Sequence, residues 1–531
     1  MLSNPGIGAN MRGRSGILTR SCMSLFLVLI LAAIPACVAD GWISTVGSAY
    51  HVSPSGSDSN EGSAAAPWLT IQHAADVLRP GQTVYIHEGT YAETPSIRVS
   101  GNETAGPVTF SAFPGDRPVL DGTGLPILDE NAAMLLIDNQ SHIVIEGLEV
   151  RSYRASEPED FPAGILVLGA SRDIEIRNCI VHDIGSNLPG PDGPYANGIA
   201  VYGTRAPEAA SGIRIIGNEL YDLEVGGSEA LVVNGNVDGF EIVGNHIHHV
   251  NNIAIDCIGF EGTSPDEDYD QARNGLIAEN LIEETSGQDN VYYDDPYGAL
   301  GIYVDGGRDI AIVRNRILRT DFGIEVASEH AGRRASDIVI ACNLITESRT
   351  VGLSVGGWIE DWGGATNVQI VNNTFHKNGS LRDGHGEVAF LRHIEGVTFH
   401  NNIVVANEQA GFLLNEAPTG TAVAADHNLY VSPDGGADGL WVWNGAEFDT
   451  FDEYRSVSGQ DASSLVGNPR FADPDSGEFR LLGNSPCIDR GDNDAMPASI
   501  RFDLAGGVRI LDGDGDGDSV IDLGAYEHSE P

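Results

Sequence analysis

Three carboxylates recur at outward positions of short predicted strands in the middle of the chain. Asp256 and Asp305 each stand at the fourth position of a strand pattern, and Glu325 at the second position of another. Because side chains alternate between the two faces of a strand, we expect Asp256 and Asp305 to lie on neighbouring coils of the fold, with Tyr303 beside them. Glu325 is expected one coil further on. Stacked carboxylates repel each other unless they share a proton or a metal, so the pattern predicts acid–base or metal-assisted chemistry. The alternative is a solvated surface of a very acidic protein.

Further reactive and aromatic residues lie on segments expected to be loops near these strands. Flat rings with polar edges suit stacking on sugars, although each ring taken singly is also compatible with ordinary loop packing. The predicted catalytic residues are Asp256, Asp305, Glu325, Glu329, His330 and Arg333. The predicted substrate-binding residues are Tyr292, Tyr293, Tyr303, Trp358 and Trp362. Additional loop acids are Glu261, Asp289, Asp294 and Asp295.

An alternating Asp-Gly run near the C-terminus resembles an EF-hand or dockerin-like calcium loop. Its carboxylates stand at positions one, three, five and seven, and a glycine stands at position six. The twelfth position is Leu523 rather than the usual glutamate. We predict a structural Ca²⁺ here, with a disordered acidic loop as the alternative, and a second Ca²⁺ at the predicted groove is an open possibility. The predicted metal ligands are Asp512, Asp514, Asp516, Asp518 and Asp522.

A repeated phrase between about residues 140 and 430 indicates the fold. It consists of alternating apolar residues, an asparagine and an apolar pair, and a Gly-Ile phrase with its own alternation lies between successive copies. Period-two alternation bounded by Gly, Asn and Asp is typical of short strands, and such repeats stack into coils. We predict an all-β, right-handed parallel β-helix in which the asparagines form a ladder at a turn, where αL geometry suits them. Its members are Asn178, Asn218, Asn245, Asn280, Asn315, Asn343, Asn373, Asn402 and Asn428.

Long insertions border the Gly-Ile strands. They precede these strands at 183–196 and 284–299, and follow them at 259–273, 328–336 and 356–367. Loops on one rim of a repeat scaffold are its usual binding region. The outer face of the Gly-Ile strands is therefore the predicted floor of a substrate groove.

Both ends carry segments expected to close the solenoid. Residues 67–78 have the pattern of a short amphipathic helix, which would cap the first coil. Together with residues 50–54 and 84–86, this N-terminus resembles the family 9 pectate lyases, within the pectate-lyase-like superfamily of secreted β-helix proteins. Residues 467–527 resemble the choice-of-anchor segments of bacterial surface proteins. The predicted divisions are a signal peptide (1–37), an N-terminal strand and cap helix (38–83), the β-helix (84–430) and an irregular C-terminal segment with the Asp-Gly loop (431–531).

The resemblance implies a polysaccharide as partner and β-elimination as reaction. This reaction needs a cation to neutralise a uronate carboxylate and a base to remove the C5 proton. Family 9 enzymes use a calcium-binding aspartate cluster and a lysine base, but the single lysine here, Lys377, lies in a turn phrase. An arginine, His330 or a tyrosine would have to replace it. We predict a lyase acting on an acidic polysaccharide, with a glycoside hydrolase and a non-catalytic glycan-binding or structural protein as alternatives.

The N-terminus is typical of an exported protein. Arginines at 12, 14 and 20 precede a short apolar run over 24–34, and Ile34-Pro35-Ala36-Cys37 resembles a lipobox. Lipidation of Cys37 would anchor the protein at the cell surface or outer membrane, whereas ordinary cleavage near Ala36 would release it. Cys179, Cys257, Cys342 and Cys487 lack close spacing, so we expect buried thiols first and disulfides second.

The overall charge limits the partners. With 29 Lys+Arg against 76 Asp+Glu, the net charge is −47. Such a surface argues against nucleic acid and against anionic membrane faces, and an acidic glycan would bind only through bridging cations. We expect a monomer whose contact with a membrane is through the N-terminal lipid alone.

Overall fold

The computed structural model describes residues 49–128, 131–189, 194–293, 297–381, 385–408, 411–416 and 422–529 of the chain. The signal peptide and Cys37 lie outside these residues, so export and lipidation stay predictions. Within the described ranges, no helix is long and apolar enough to cross a membrane.

Three long sheets of 13 strands each run side by side, and successive strands in the chain pass from one sheet to the next. Neighbouring strands within each sheet are parallel, except for the antiparallel pair β37–β38. Sheet 1 contains the Gly-Ile strands: β4 (Ser96–Ile97), β7 (Ala133–Asp138), β10 (Ala163–Leu168), β13 (Asn197–Gly203), β16 (Glu229–Gly235), β19 (Ile253–Ile258), β22 (Leu300–Asp305), β25 (Phe322–Ala327), β28 (Val351–Val355), β31 (Val388–Phe390), β34 (Gly411–Asn415), β37 (Leu440–Trp443) and β38 (Ala446–Phe448).

Sheets 2 and 3 are built from the two halves of the asparagine phrase. Sheet 2 contains β1 (Ala49–Val52), β2 (Thr83–Ile86), β5 (Val108–Ala112), β8 (Ser141–Glu146), β11 (Arg172–Arg177), β14 (Ala210–Ile216), β17 (Val237–Val243), β20 (Arg273–Ala278), β23 (Arg308–Val313), β26 (Arg334–Ala341), β29 (Gly364–Val371), β32 (Ile394–His400) and β35 (Val423–Asp426). Sheet 3 contains β3 (Gly89–Tyr91), β6 (Pro118–Asp121), β9 (Glu149–Arg151), β12 (Ile180–His182), β15 (Glu219–Leu223), β18 (His246–Val250), β21 (Leu281–Glu283), β24 (Arg316–Leu318), β27 (Leu344–Thr346), β30 (Thr374–His376), β33 (Ile403–Val405), β36 (Leu429–Val431) and β39 (Leu465–Val466). The predicted right-handed parallel β-helix is confirmed.

The interior is a continuous column of aliphatic side chains. In sheet 1, Ile255 pairs with Ile302, which pairs with Ile324, and all three are fully buried. Each inward side chain thus lies on the equivalent residue of the next coil, and burying such a side chain contributes about 1.5–3 kcal/mol. This repeating burial fixes the register of the strands, because a slip of one residue would turn every apolar side chain outward.

The glycine of the Gly-Ile phrase is required by the close approach of adjacent coils. A Cβ placed on Gly301 would lie 2.6 Å from the carbonyl oxygen of Gly323, and one on Gly323 would lie 2.2 Å from that of Gly352. Both distances are far below van der Waals contact. A larger residue would therefore displace the backbone of the next coil.

The predicted asparagine ladder is present, with two corrections. The backbone N–H of Asn280 donates to Oδ1 of Asn315, at 3.0 Å, and the same bond recurs from Asn218 to Asn428. The ladder begins at Cys179, whose N–H donates to Asn218, so Asn178 is one residue out of register. The αL conformation belongs to the residue preceding each ladder asparagine, such as Gly244 or Arg314 (φ 66° and 57°). The asparagine side chains therefore bond between coils, rather than shaping the turn themselves.

Both ends of the column are closed. Helix α1 (Ile71–Val77) begins at Thr70, whose side chain accepts the N–H of His73, and it buries Ile71, Ala74 and Ala75 against the first coil. Helix α2 (Phe451–Ser458) covers the last coil, where Trp441 stacks on Tyr454 with ring centroids 4.5 Å apart. The predicted helical cap is confirmed.

The C-terminal segment beyond residue 466 folds back along the outside of the β-helix. This segment contains the antiparallel pair β40 (Phe471–Asp473) and β41 (Glu478–Leu481) and the short 3₁₀ turns Pro474–Ser476 and Asn493–Ala495. A third 3₁₀ turn, Gly287–Asp289, lies elsewhere, in a loop beside sheet 1. Ile521 of the C-terminal segment packs on outward residues of sheet 2, and Leu523 packs on outward residues of sheet 3. The irregular C-terminal segment is thus an integral layer of the fold.

Candidate functional site

The outer face of sheet 1 aligns polar side chains from successive coils. Asp256 on β19 pairs with Tyr303 on β22, which pairs with Glu325 on β25 and then Ser354 on β28. Their exposed fractions are only 0–4%. Because adjacent strands lie about 4.8 Å apart, Asp256 and Glu325 stand about 10 Å apart along this row.

The predicted pairing of Asp256 with Asp305 in one row is wrong. Asp305 ends β22 and belongs to the neighbouring row, where it pairs with Ala327. The prediction counted from Ile253, but Ile255 is the residue that aligns with Ile302. Ala254 replaces the phrase glycine in this coil, and Ile253 precedes it in register with Glu229, so counting from Ile253 displaced Asp256 by two positions. Tyr303 does lie beside Asp256, as expected.

Sequence reasoning missed one acid on this floor. Glu229, the first residue of β16, is 7% exposed, and its carboxylate accepts a hydrogen bond from Asn197 Nδ2 at 3.3 Å. It precedes the phrase-glycine position, here Ala230, whereas the predicted floor used only the second and fourth positions after it. Alignment of Asn197-Gly198-Ile199 with Glu229-Ala230-Leu231 would have found it.

Six carboxylates from strands and loops share this region and are called the acidic cluster: Glu229, Asp256, Glu261, Asp305, Glu325 and Glu329. The strand members are buried, whereas Glu261 and Glu329, on the loops that follow β19 and β25, are exposed at its mouth. The main-chain N–H of Glu329 donates to Asp305 at 2.8 Å, which joins loop to floor. Among the described residues, no Arg, Lys or His nitrogen lies within 4 Å of any of the six carboxylates.

Burial and mutual repulsion favour the protonated forms of these acids. Burial raises the pKa of Asp256 well above its usual range, and the charges of Glu229 and Asp305 add to this effect. Burial and then Glu329 raise the pKa of Asp305 in the same direction. Burial raises the pKa of Glu229 to about 8 and that of Glu325 to about 7. In Glu325, burial outweighs the hydrogen bonds donated by Trp358 and Ser354, which lower the pKa. The cluster can therefore hold protons near neutral pH, or exchange them for a cation.

Several polar atoms that face this region lack a partner within the described structure. They are Oδ1 of Asp256, the hydroxyl of Tyr303, Oδ1 of Asn234 and Nε2 of His330. His330, Asp305 and Glu261 each offer a ligand atom, and these atoms lie within 4.8 Å of one another. Buried polar atoms are rarely left unpaired in native proteins, so these residues have the character of a binding site.

Three of the predicted aromatic residues reach the acidic cluster. Trp358 donates its indole N–H to Glu325 at 2.9 Å, and Tyr303 is part of the floor. Burial, together with Glu329 and Glu229, raises the pKa of Tyr293 above its usual range. Tyr292 lies beside Tyr293 with its hydroxyl 3.1 Å from that of Tyr195. Tyr292 and Tyr293 remain 40% exposed, so their faces are available to a ligand.

Other predicted site residues lie elsewhere or outside the description. Arg333 pairs with Glu267 at 3.1 Å and stacks on Phe260, so it contacts the loop wall rather than the carboxylates. Trp362 is half-buried in the 356–363 loop, and no contact of its ring with the cluster is present in the described structure. Asp289 is exposed on a 3₁₀ turn. Asp294 and Asp295 lie outside the described residues.

Sequence comparison places this chain within a known family. The chain is 36% identical to the uncharacterized protein YwoF of Bacillus subtilis (strain 168) over 441 residues, which are 83% of this chain and 92% of that protein. Residues 50–270 match the family described as Pel9A-like, right-handed β-helix region. The chain belongs to the pectate-lyase-like β-helix proteins. The predicted resemblance is confirmed.

Two named enzymes are similar over parts of the chain or at low identity. Pectate lyase PEL9 of Emericella nidulans is 39% identical over 77 residues, which are 14% of this chain and 19% of that enzyme. The crystal structure of pectate lyase Pel9A has 15% identity and a TM-score of 0.44, and the alignment covers 92% of this chain and 98% of that one.

Within this family the single lysine is a departure. Lys377 follows β30 on sheet 3 in a left-handed turn (φ 57°), and its Nζ lies 3.9 Å from Asp475 of the C-terminal segment. It belongs to a different sheet from the acidic cluster. It is therefore not available there as a base.

The C-terminal Asp-Gly loop brings two of the predicted ligands together with one further acid, Asp489. The buried Asp489 and the exposed Asp512 and Asp514 each offer an oxygen within 4.8 Å of the others, and Asp516 and Asp518 are exposed as well. Asp522 is 1% exposed and accepts the main-chain N–H of Asp489 and of His528. Asp522 thus has a structural role in the segment, and calcium binding at this loop stays a prediction.

Proposed function

We propose that this protein is a polysaccharide lyase that cleaves a uronate-containing polysaccharide by β-elimination at the acidic cluster. The observation that carries the proposal is the group of six carboxylates on the loop-bordered face of sheet 1, with no cationic partner among the described residues and with Asp256 Oδ1 unpaired. Membership of the pectate-lyase-like family and the partial similarity to pectate lyase PEL9 favour this reaction over others.

The acidic cluster fits a hard divalent cation such as Ca²⁺. Calcium prefers carboxylate oxygens, and Asp256, Glu261 and Asp305 are the residues that would hold it, with Glu329 at the mouth. Bound there, the cation would neutralise the uronate carboxylate and so acidify the C5 proton. Without a cation, a polyanionic substrate would be repelled by this surface.

His330 is the proposed base. Its Nε2 has no hydrogen-bond partner, and one of its ring nitrogens lies within 4.8 Å of oxygens of Glu261 and Asp305, where an imidazole can accept a proton. Tyr303 is a poorer base, because burial and then Asp305 and Glu325 raise the pKa of its hydroxyl well above the usual range. The exposed rings of Tyr292 and Tyr293 would support sugar rings along the groove.

A glycoside hydrolase is the second candidate, and Glu325 favours it. A carboxylic acid with a pKa of about 7, held by Ser354 and Trp358 at 2.8 and 2.9 Å, is suited to protonate a leaving oxygen. Asp305 or Asp256 would then activate water or act as nucleophile. This reaction would release reducing ends without forming unsaturated uronates.

A panel of substrates separates these candidates. The purified protein is incubated with pectins, alginates, glycosaminoglycans and ulvan, in calcium and then in chelator, and ultraviolet absorbance and reducing ends are followed. A calcium-dependent rise in absorbance on one polymer supports the lyase. Reducing ends without absorbance would favour the hydrolase. Binding without either product would identify a glycan-binding protein and overturn the proposal.

A further inference from the structure

A second group of potential metal ligands lies on the outer face of sheet 3, away from the acidic cluster. Glu219 on β15 pairs in register with His246 on β18, and Tyr221 pairs with His248. His246 and His248 are two residues apart on one strand, so both point outward beside Glu219. We propose that Glu219, His246 and His248 bind a first-row transition-metal ion of the Zn²⁺ type.

The spacing of the three ligand atoms fits such an ion. His248 Nε2 lies 3.5 Å from Glu219 Oε1, and His246 Nδ1 lies 3.9 Å from the same oxygen. In a tetrahedral zinc site with bonds of about 2.0–2.2 Å, ligand atoms are about 3.3–3.5 Å apart. The first distance already matches, and a small side-chain rotation would close the second. The exposed edge of the group leaves room for water as a fourth ligand.

The outer hydrogen bonds direct the correct nitrogens toward the ion. His246 Nε2 lies 3.1 Å from Glu283 Oε1, so the ring donates there and leaves its Nδ1 lone pair facing Glu219. His248 Nδ1 lies 2.7 Å from His249 Nδ1, and donation to His249 leaves His248 Nε2 unprotonated. Metal-bound histidines usually donate their other N–H in this way.

The position of His248 Nε2 is the strongest indication that this group binds a cation. This atom is buried and lies 3.5 Å from Glu219 Oε1, without a well-aligned hydrogen bond to it. In the tautomer that donates from Nδ1 to His249, the Nε2 lone pair opposite the carboxylate is repulsive unless a cation lies between them. The ring is also held in place, because it stacks on Tyr221 with centroids 5.1 Å apart and an interplanar angle of 6°, and Tyr221 stacks in turn on His182.

The chemistry of the donors selects the ion. Imidazole nitrogens suit zinc and its neighbours in the first transition row, whereas calcium and magnesium prefer oxygen ligands. An ion held by Glu219 and by two residues of β18 would cross-link two consecutive coils. We therefore expect it to stabilise the β-helix rather than to take part in polysaccharide cleavage.

Isothermal titration with ZnCl₂ on the full-length protein, with glycan absent, tests the site. Glu219→Gln and His248→Gln should each weaken this binding event about 100-fold, and Glu283→Ala about 10-fold, because it removes only the outer hydrogen bond. His142→Asn, which changes an unrelated histidine on sheet 2, should leave the titration unchanged. Circular dichroism establishes that each variant is folded.

Anomalous diffraction at the zinc edge locates the ion. A peak between Glu219, His246 and His248 supports the proposal. A zinc peak only at Glu261, Asp305 and His330, or at His400, His427 and Asp492, would overturn it. An unchanged isotherm for folded His248→Gln, or no zinc binding by the parent protein, would also overturn it. None of these results depends on lyase activity.

Discussion

The carboxylates of the acidic cluster differ in how their charge is compensated. Glu325 accepts hydrogen bonds from Ser354 and Trp358, and Asp305 accepts the N–H of Glu329, whereas Oδ1 of Asp256 has no donor in the described structure. Asp256 therefore gains most from a bound cation or a proton. Asparagine, the neutral isostere of aspartate, would keep the shape of the side chain and remove its need for a cation or a proton.

Because of individual buried acids, the free energy of unfolding should fall as the pH rises. The pKa values of Glu229 and Glu325 are raised to about 8 and about 7, so the folded state holds protons that the unfolded chain releases above about pH 4.5. Linkage then lowers the free energy of unfolding between about pH 4.5 and 8. Glu229→Gln should recover about 1–3 kcal/mol at pH 8 and little at pH 4, measured by denaturant unfolding in chelator.

Glu208→Gln, at an exposed acid away from the cluster, is the matched control and should leave the pH dependence unchanged. Equal effects of the two variants would show that Glu229 is not held in its protonated form by burial.

At the scale of elements, the coils hold their register through the asparagine ladder. Asn315 Oδ1 accepts both the main-chain N–H and the side-chain N–H of Asn280, at 3.0 and 2.9 Å. Asn315→Ala should cost about 3 kcal/mol of unfolding free energy, because buried donors would lose their acceptors. Gln288→Ala, at an exposed amide, should change it by less than about 0.5 kcal/mol. Thermal and denaturant unfolding measure both, and a neutral Asn315→Ala would contradict a stabilising role for the ladder.

The sequence predicted strands and caps well, because alternation and capping patterns are local. It placed Asp256 in the wrong row because Ala254 replaces the phrase glycine in β19, and Ile253, which precedes it, was counted as the first inward residue. It missed Glu229 because this residue precedes the glycine position, and only the second and fourth positions after that glycine were counted. Contacts such as Trp358 with Glu325 join a loop to another coil, and no local pattern encodes them.

At the scale of the whole molecule, charge repulsion opposes folding. The net charge is −47, and many of the 29 cationic residues already pair with acids, as Arg319 does with Glu283. Salt screens the repulsion that remains, since the Debye length falls to about 3 Å at 1 M. We expect the melting temperature in chelator to rise by about 5 °C between low salt and about 1 M NaCl. A melting temperature indifferent to salt would show that this repulsion does not limit stability.

The most direct test of the central claim measures unsaturated uronate release by Asp256→Asn and Asp305→Asn, singly and together, on the polymer that the parent protein cleaves. Asp268→Asn, an exposed acid on the same loop as Glu261, is the matched control. We predict a loss of at least about 100-fold in kcat/KM for the double variant, a calcium requirement shifted to higher concentration for each single variant, and parent-like activity for the control. Parent-like, calcium-dependent activity in the folded double variant would show that the acidic cluster is not the catalytic site.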